Sequence, residues 1–220
     1  MKARRLRRDF YDRATLTVAR DLIGKVLVHQ RPEGRSSGVI VETEAYIGEA
    51  DPACHAAPGP TRRNRPLYGP PGFSYVYLNY GIHFLTNVVT ESEGAPAAVL
   101  LRGLEPLEGI SLMRARRSGT RAEPGGIAAL DLCRGPGNLS RALGITLSEN
   151  WLDLEGDRLF LEDHGYTPGE IAWSPRIGIR VGTERQWRCF AVASRAVSGR
   201  GGVPGQAGGR RRPAAEVHDR

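Results

Sequence analysis

The stretch FSYVYLNYGIHFLTNVVT, Phe73–Thr90, decides the fold. Two runs rich in aromatic and β-branched residues flank Asn79-Tyr80-Gly81, so the segment predicts strands over Phe73–Leu78 and His83–Thr90 joined as a hairpin. A strand has a side-chain period of two, which sets Tyr75 and Tyr77 on one face and leaves Tyr80 at the tip. A tyrosine there finds little of its own core to pack against. It calls for a partner, and a base stack accepts a flat ring with a polar end; an ordinary exposed turn tyrosine is the bland alternative.

The neighbouring segments read in the same way. Lys25–His29, Gly38–Tyr46 and Pro96–Leu104 predict strands, with the turn-rich RPEGRSS between the first two. Arg158–Leu161, Arg176–Val181 and Cys189–Ala193 predict late strands. Helical spacing marks Ala14–Ile23, stopped by Gly24; Pro106–Arg117, with proline in its first turn; and GPGNLSRALGI, closed by Gly144. Asp51–Gly72, heavy in proline and glycine, predicts a loop. Strands clustering in hairpins with few helices between them imply an α+β fold: a single mixed domain around a curved, largely antiparallel sheet, with flanking helices and a protruding hairpin.

The strand Gly38–Tyr46 ends in VETEAY, which aligns Glu42, Glu44 and Tyr46 on one face. Two acids and a phenol on one face are either solvent-exposed or a site, and a strand-end acid is by default a salt-bridge partner. Within reach of His55 and Arg102, a carboxylate there could act as a base toward water while the arginine holds its charge.

Composition bounds the class. A chain of 220 residues with 40% hydrophobic residues can bury a core. It has no apolar run long enough to span a membrane and none behind the basic N-terminus to make a signal peptide, so a soluble cytoplasmic protein is expected. The net charge of +7 invites nucleic acid, but its distribution is uneven. Residues 1–9 hold five bases and one acid, and residues 195–220 hold six arginines and two acids, so the chain between is close to neutral. A binding surface on the folded part must then be a local patch, with Arg62, Arg63 and Arg65 or Arg114, Arg116, Arg117 and Arg121 as candidates. Residues 1–9 predict a loose basic arm, 10–197 the folded domain, and 198–220, rich in glycine and arginine, a disordered tail.

Other chemistries find little support. Cys54, Cys133 and Cys189 are too scattered for a zinc motif or a disulfide framework, so no metal is expected. Only two lysines occur, Lys2 and Lys25, which disfavours an amine nucleophile. Nucleophile-elbow, phosphate-loop and dinucleotide signatures are lacking, and no cofactor is expected.

GVIVETEAYIGEADPACHA (38–56), TRRNRPLYGPPGFSYVYLNYGIHFLTNVV (61–89) and AAVLLRGLEPLEG (97–109) together resemble the alkyladenine, or N-methylpurine, DNA glycosylase family. The resemblance runs from about Arg13 to Trp187, with GPGNLSRALGI and PRIGIRVG supporting it. It implies a monofunctional enzyme, without lyase activity, that flips alkylated or deaminated purines out of duplex DNA, hydrolyses the N-glycosidic bond and so starts base excision repair. By the same resemblance Glu44 is the general base and Arg102 positions the water. Tyr46, His55, Tyr77 and Asn87 form the base pocket; Tyr80 and Ile82 enter the duplex; Arg63 and Arg65 lie along its backbone; and Glu42 is structural. Double-stranded DNA with damaged purines is the expected partner, for a monomer at the bacterial nucleoid. A silent damaged-DNA-binding module using the same surface is the alternative reading.

The sequence also departs from the family pattern. His83 follows YGI where tyrosine is common, Ile82 replaces a frequent methionine, and RCFAVASRAVSGRGG stands where the family closes on a GSPWVS-like segment.

Overall fold

The computed structural model describes residues 3–118 and 126–199. In chain order the elements are β1 (Arg4–Arg5), α1 (Arg8–Tyr11), α2 (Thr15–Asp21), β2 (Val26–Arg31), β3 (Gly34–Ile47), β4 (Ser74–Asn79), β5 (His83–Val89), β6 (Ala97–Glu108), α3 (Ile110–Ser118), α4 (Pro136–Leu143), β7 (Leu159–Asp163), β8 (Ile171–Ser174) and β9 (Arg188–Ala191). They build one sheet in the order β1-β7-β2-β3-β6-β5-β4, with β9 bridging β3 to β8. Each of these pairings is antiparallel, as an α+β fold assembled from hairpins requires.

β3 organises the sheet. Its long edge pairs with β6 from Ser37 to Ile47. The opposite edge is divided, with β2 on the first half and β9 on Glu42–Glu44. Both edges of the strand are therefore hydrogen-bonded, and residues 40–45 are buried without alternation. Thr43 donates to the Ala19 carbonyl at 2.9 Å, which ties β3 to α2.

Alternation is clean in the hairpin. Val76, Val88 and Val99 join the main core with α2, α3 and α4, whereas Tyr75, Val89 and Ala98 face a smaller cluster under the 51–72 loop, beside Cys54 and Leu67. That loop is pinned by the buried Asn64, which accepts from the Thr61 amide at 2.6 Å and donates to the His55 and Gly59 carbonyls, each at 2.8 Å. With Asn64 turned inward, Arg63 and Arg65 on either side are left exposed.

Several expectations are corrected. RPEGRSS is mostly strand, because Arg31 pairs with Gly34 around a two-residue turn and Gly34 takes φ 137°. Pro106 belongs to β6, not to a helix. It lies beyond the β5 pairing, where no second ladder demands its missing N–H, and α3 starts only after Gly109, at φ 71°. Residues 176–181 form a loop, since Gly178 and Gly182 take positive φ and Ile171–Ser174 pairs with β9 instead. The N-terminal segment is docked rather than loose: Arg4 and Arg5 pair with β7, Leu6 is buried, and Arg8 meets Asp153 at 2.6 Å. Helix α4 closes as expected, with Gly144 left-handed at φ 72°. Among the described residues no helix is long and apolar enough to cross a membrane.

Candidate active site

VETEAY, near the end of β3, meets LLRG, in the middle of β6, across the β3–β6 ladder. The ladder there is irregular: Ile40 pairs with Leu104, Glu42 with Gly103 and Thr43 with Leu101, which leaves Val41 and Arg102 without partners. Arg102 reaches both acids of β3. Its Nε donates to Glu42 Oε1 at 3.1 Å and its Nη1 to Glu44 Oε2 at 3.2 Å. Gly103 is the residue that fits beside this pair, because a Cβ there would stand 2.9 Å from the Ala196 carbonyl oxygen and 3.2 Å from Glu42 Oε2.

The two acids then diverge. Glu42 is wrapped by structure: Arg188 Nε donates to Oε1 at 2.6 Å, the Ser198 hydroxyl to Oε1 at 2.9 Å, and the Ser198 amide to Oε2 at 2.7 Å. Glu44 receives the Tyr46 hydroxyl on Oε2 at 2.9 Å and the Ile177 amide on Oε1 at 2.7 Å. Burial raises the Glu44 carboxyl above its ordinary value, against the opposing pull of Arg102, the Ile177 N–H and the Tyr46 O–H.

Beside Glu44 opens a cleft of about 580 Å³, lined by Tyr46, His55, Tyr77, Tyr80, Arg102 and Ile177 among others. Glu44 has no exposed surface of its own. Its three hydrogen-bonding partners line the cleft, so the carboxylate lies one side chain behind the wall. His55 Nδ1 is 2.8 Å from the Tyr75 hydroxyl, and its ring packs edge-on to Tyr77 at 4.4 Å. Burial, assisted by Arg63, lowers the His55 pKa and keeps the imidazole neutral at pH 7. Burial pushes the Tyr77 phenol up to about 12.

The hairpin tip forms one rim. Tyr80 and Gly81 both take positive φ, 48° and 69°, and the Ile82 amide closes the turn onto the Asn79 carbonyl at 3.0 Å. A left-handed tyrosine is strained by roughly 1–2 kcal/mol, and such strain collects at functional sites. Tyr80 is 85% exposed and Ile82 73%, which leaves an apolar pair projecting from the fold. The start of α4, Gly135–Asn138, also lines the cleft, and it packs against the hairpin: a Cβ on Gly137 would stand 2.7 Å from the His83 ring.

The structure thus brings Glu44, Tyr46, His55, Tyr77, Tyr80 and Arg102 together. Asn87 sits apart from the main cleft: it lines a small cavity of about 30 Å³ behind the rings, where it donates to the Tyr75 carbonyl at 2.9 Å. Arg63 lies over the Tyr77 ring at 5.5 Å. The other basic patch is spent on structure, since Arg114 binds the Ile127 carbonyl, Arg116 the Ala142 carbonyl and Arg117 the carbonyls of Asp131 and Leu132; Arg121 lies outside the described residues.

Sequence reading missed the 176–182 loop. Arg176 forms a buried pair with Asp51, Nη1 to Oδ2 at 2.5 Å and Nη2 to Oδ1 at 2.8 Å, and its guanidinium covers the Tyr46 ring at 4.6 Å. Burial opposes ionisation of Asp51, but the Arg176 contacts outweigh it and hold the carboxyl below its ordinary range. Asp51 and Arg176 stand 125 positions apart, and no local pattern joins them. Ser198, where the tail was expected to begin, is buried against Glu42. Among the described residues no group of acids, histidines and cysteines is arranged to hold a metal ion.

Known proteins resemble this chain over most of its length. The sequence model of the family described as "Methylpurine-DNA glycosylase (MPG)" matches residues 9–195. A Chlorobium phaeobacteroides protein is 47% identical over 89% of this chain and 96% of its own length. One from Rubrobacter xylanophilus is 50% identical over 82% and 94%, and one from Methanocella arvoryzae 48% over 89% and 96%. All three carry the name "Putative 3-methyladenine DNA glycosylase".

Proposed function

Because the chain belongs to the methylpurine-DNA glycosylase family and is a DNA-repair glycosylase for alkylation damage, we propose that it flips a damaged purine into the 580 Å³ cleft and hydrolyses its N-glycosidic bond with water activated by Glu44. The observation that carries this reading is the Glu44 carboxylate held between Arg102 and Tyr46 directly behind that cleft. A base in the duplex is out of reach, so it is extruded at a cost of a few kcal/mol. The exposed Tyr80 and Ile82 take its place in the stack and offset part of that cost. Arg63 and Arg65, exposed beside the loop staple, contact the backbone phosphates.

A purine alkylated on a ring nitrogen is cationic, and stacking against Tyr46 and Tyr77 favours it by roughly 0.5–2 kcal/mol. The neutral His55 offers a hydrogen bond to the base edge without adding positive charge. Asn87 lines the small cavity behind the rings and not the cleft that takes the base. As the C1′–N bond breaks, its electron pair leaves with the base and the sugar gains oxocarbenium character, which the ionised Glu44 stabilises. Water oxygen then bonds to C1′, and its proton passes to the Tyr46 oxygen as the Tyr46 hydroxyl gives its own proton to Glu44 Oε2, 2.9 Å away. Burial makes Glu44 a stronger base than an exposed carboxylate, which suits that task. The product is an intact strand with an abasic site. Lys25, one of only two lysines, is tied to Asp163 at 2.9 Å, which supports hydrolysis without strand cleavage through an amine.

The substrates we propose are 3-methyladenine, 7-methylguanine, hypoxanthine and ethenoadenine in duplex DNA. The test is a panel of duplexes, each carrying one such lesion, assayed for alkali-labile abasic sites. Release from at least the 3-methyladenine duplex is expected; tight binding to lesion duplexes without release from any would establish a silent damage-binding module instead. In the same assays Arg63→Ala is expected to lower the slope of log affinity against log salt by about 1. An unchanged slope would remove Arg63 from the phosphate contacts.

A further inference from the structure

Two carboxylates compete for one guanidinium in this site. Arg102 gives its Nε to Glu42 and its Nη1 to Glu44, so its division between them depends on how well Glu42 is satisfied otherwise. The side chain that adjusts this balance comes from the far end of the described chain. The Ser198 hydroxyl donates to Glu42 Oε1 at 2.9 Å while accepting from Arg102 Nη2 at 3.2 Å. Its amide holds Glu42 Oε2 at 2.7 Å, and its carbonyl accepts from Arg188 Nη2 at 2.8 Å. One serine therefore touches both claimants on the acid that Glu44 does not use.

We infer that Ser198 is a positioning residue for base release: by satisfying Glu42 and bracing Arg102 from behind, it leaves Nη1 aimed at Glu44. The inference rests on the glycosylase reading above. Without the hydroxyl, Glu42 loses one donor and draws more of Arg102 to itself. Glu44 then loses part of its counter-charge and needs a higher pH to ionise. The other groups facing Glu44 do not replace it. Tyr46 on β3 and Tyr77 on β4 are neutral, Arg176 is committed to Asp51, and Arg188 on β9 is committed to Glu42.

The experiment uses the full chain and a 3-methyladenine duplex, with single-turnover release measured across pH and duplex affinity and melting temperature measured alongside. Ser198→Ala removes the hydroxyl and leaves a void, Ser198→Cys removes it while filling the space, and Ser198→Thr keeps it. Both Ala and Cys variants are expected to release base roughly tenfold more slowly near neutral pH, to move the acid limb of the rate profile to higher pH, and to bind duplex as wild type does; the Thr variant is expected to restore the limb. An unmoved limb in the Ala and Cys variants overturns the inference, even where the rate falls with the melting temperature, because that outcome marks a merely structural serine. A wild type that releases no base fails the glycosylase reading instead, so the two failures are distinguishable.

Discussion

Glu44→Gln is expected to slow base release by about 10²–10⁴-fold, the usual worth of a general base, while damaged-duplex binding persists. Glutamine keeps the size of the side chain and an oxygen to accept from the Ile177 amide, but it can neither take the water proton nor balance charge on the sugar. Single-turnover release and duplex affinity, measured on one lesion, separate the two effects. Release at the wild-type rate would remove Glu44 from the mechanism, and loss of both together would mean the variant disturbs the pocket instead. Stability adds an independent readout. Because the folded Glu44 carboxyl lies above its unfolded value of 4.5, its neutral form is favoured by folding, and this contribution is lost as pH rises through the folded value. The glutamine variant is therefore expected to melt no lower than wild type at neutral pH.

Asp51→Asn is expected to be the most damaging change to the scaffold of the cleft. Asp51 and Arg176 are both buried, and removing one charge strands the other, at about 3–5 kcal/mol. For a domain of this size that corresponds to roughly 6–20 °C in melting temperature. The loss reaches the chemistry as well, since Arg176 packs on Tyr46 and Ile177, the next residue, supplies the N–H on Glu44. The pH dependence has the opposite sign to that of Glu44. Asp51 ionises below its ordinary value of 3.8, so its stabilisation is present above that pH and is lost as pH falls through the folded value. Thermal melts at pH 7 and at strongly acid pH check this: the gap between wild type and variant is expected to be wide at pH 7 and to narrow in acid. Equal melting temperatures at pH 7 would mean that the pair does not hold the loop.

What the sequence disclosed follows the range of the interactions involved. The Phe73–Thr90 hairpin was legible because alternation and turn chemistry are local, and Val76 and Tyr75 lie on opposite faces as that alternation requires. The antiparallel α+β class followed from the same signal. Glu44 and Tyr46 share a strand, so their hydrogen bond was within reach of a period-two argument. The partnership of Glu44 with Arg102, 58 positions away, was suggested by motif rather than by pattern. Illegible were the contacts that cross the whole chain. Residues 176–181 combine β-forming side chains with glycines and read as a strand, and what makes them a loop includes a carboxylate 125 positions earlier. Ser198 opens a stretch of tail-like composition, which hides a residue that is buried. The arginines of α3 read as a cationic surface, yet Arg116 and Arg117 are used to bind carbonyl oxygens.

The bond from the Ser198 amide to Glu42 spans 156 positions, which gives it a temporal meaning. At roughly 5–20 residues per second of synthesis, the two acids emerge on the order of 10–30 s before the serine that settles them. A nascent chain can form its hairpins in that interval but cannot finish the centre they surround. The carboxylate pair at the heart of β3 is therefore complete only once Ser198 has left the ribosome and docked on Glu42.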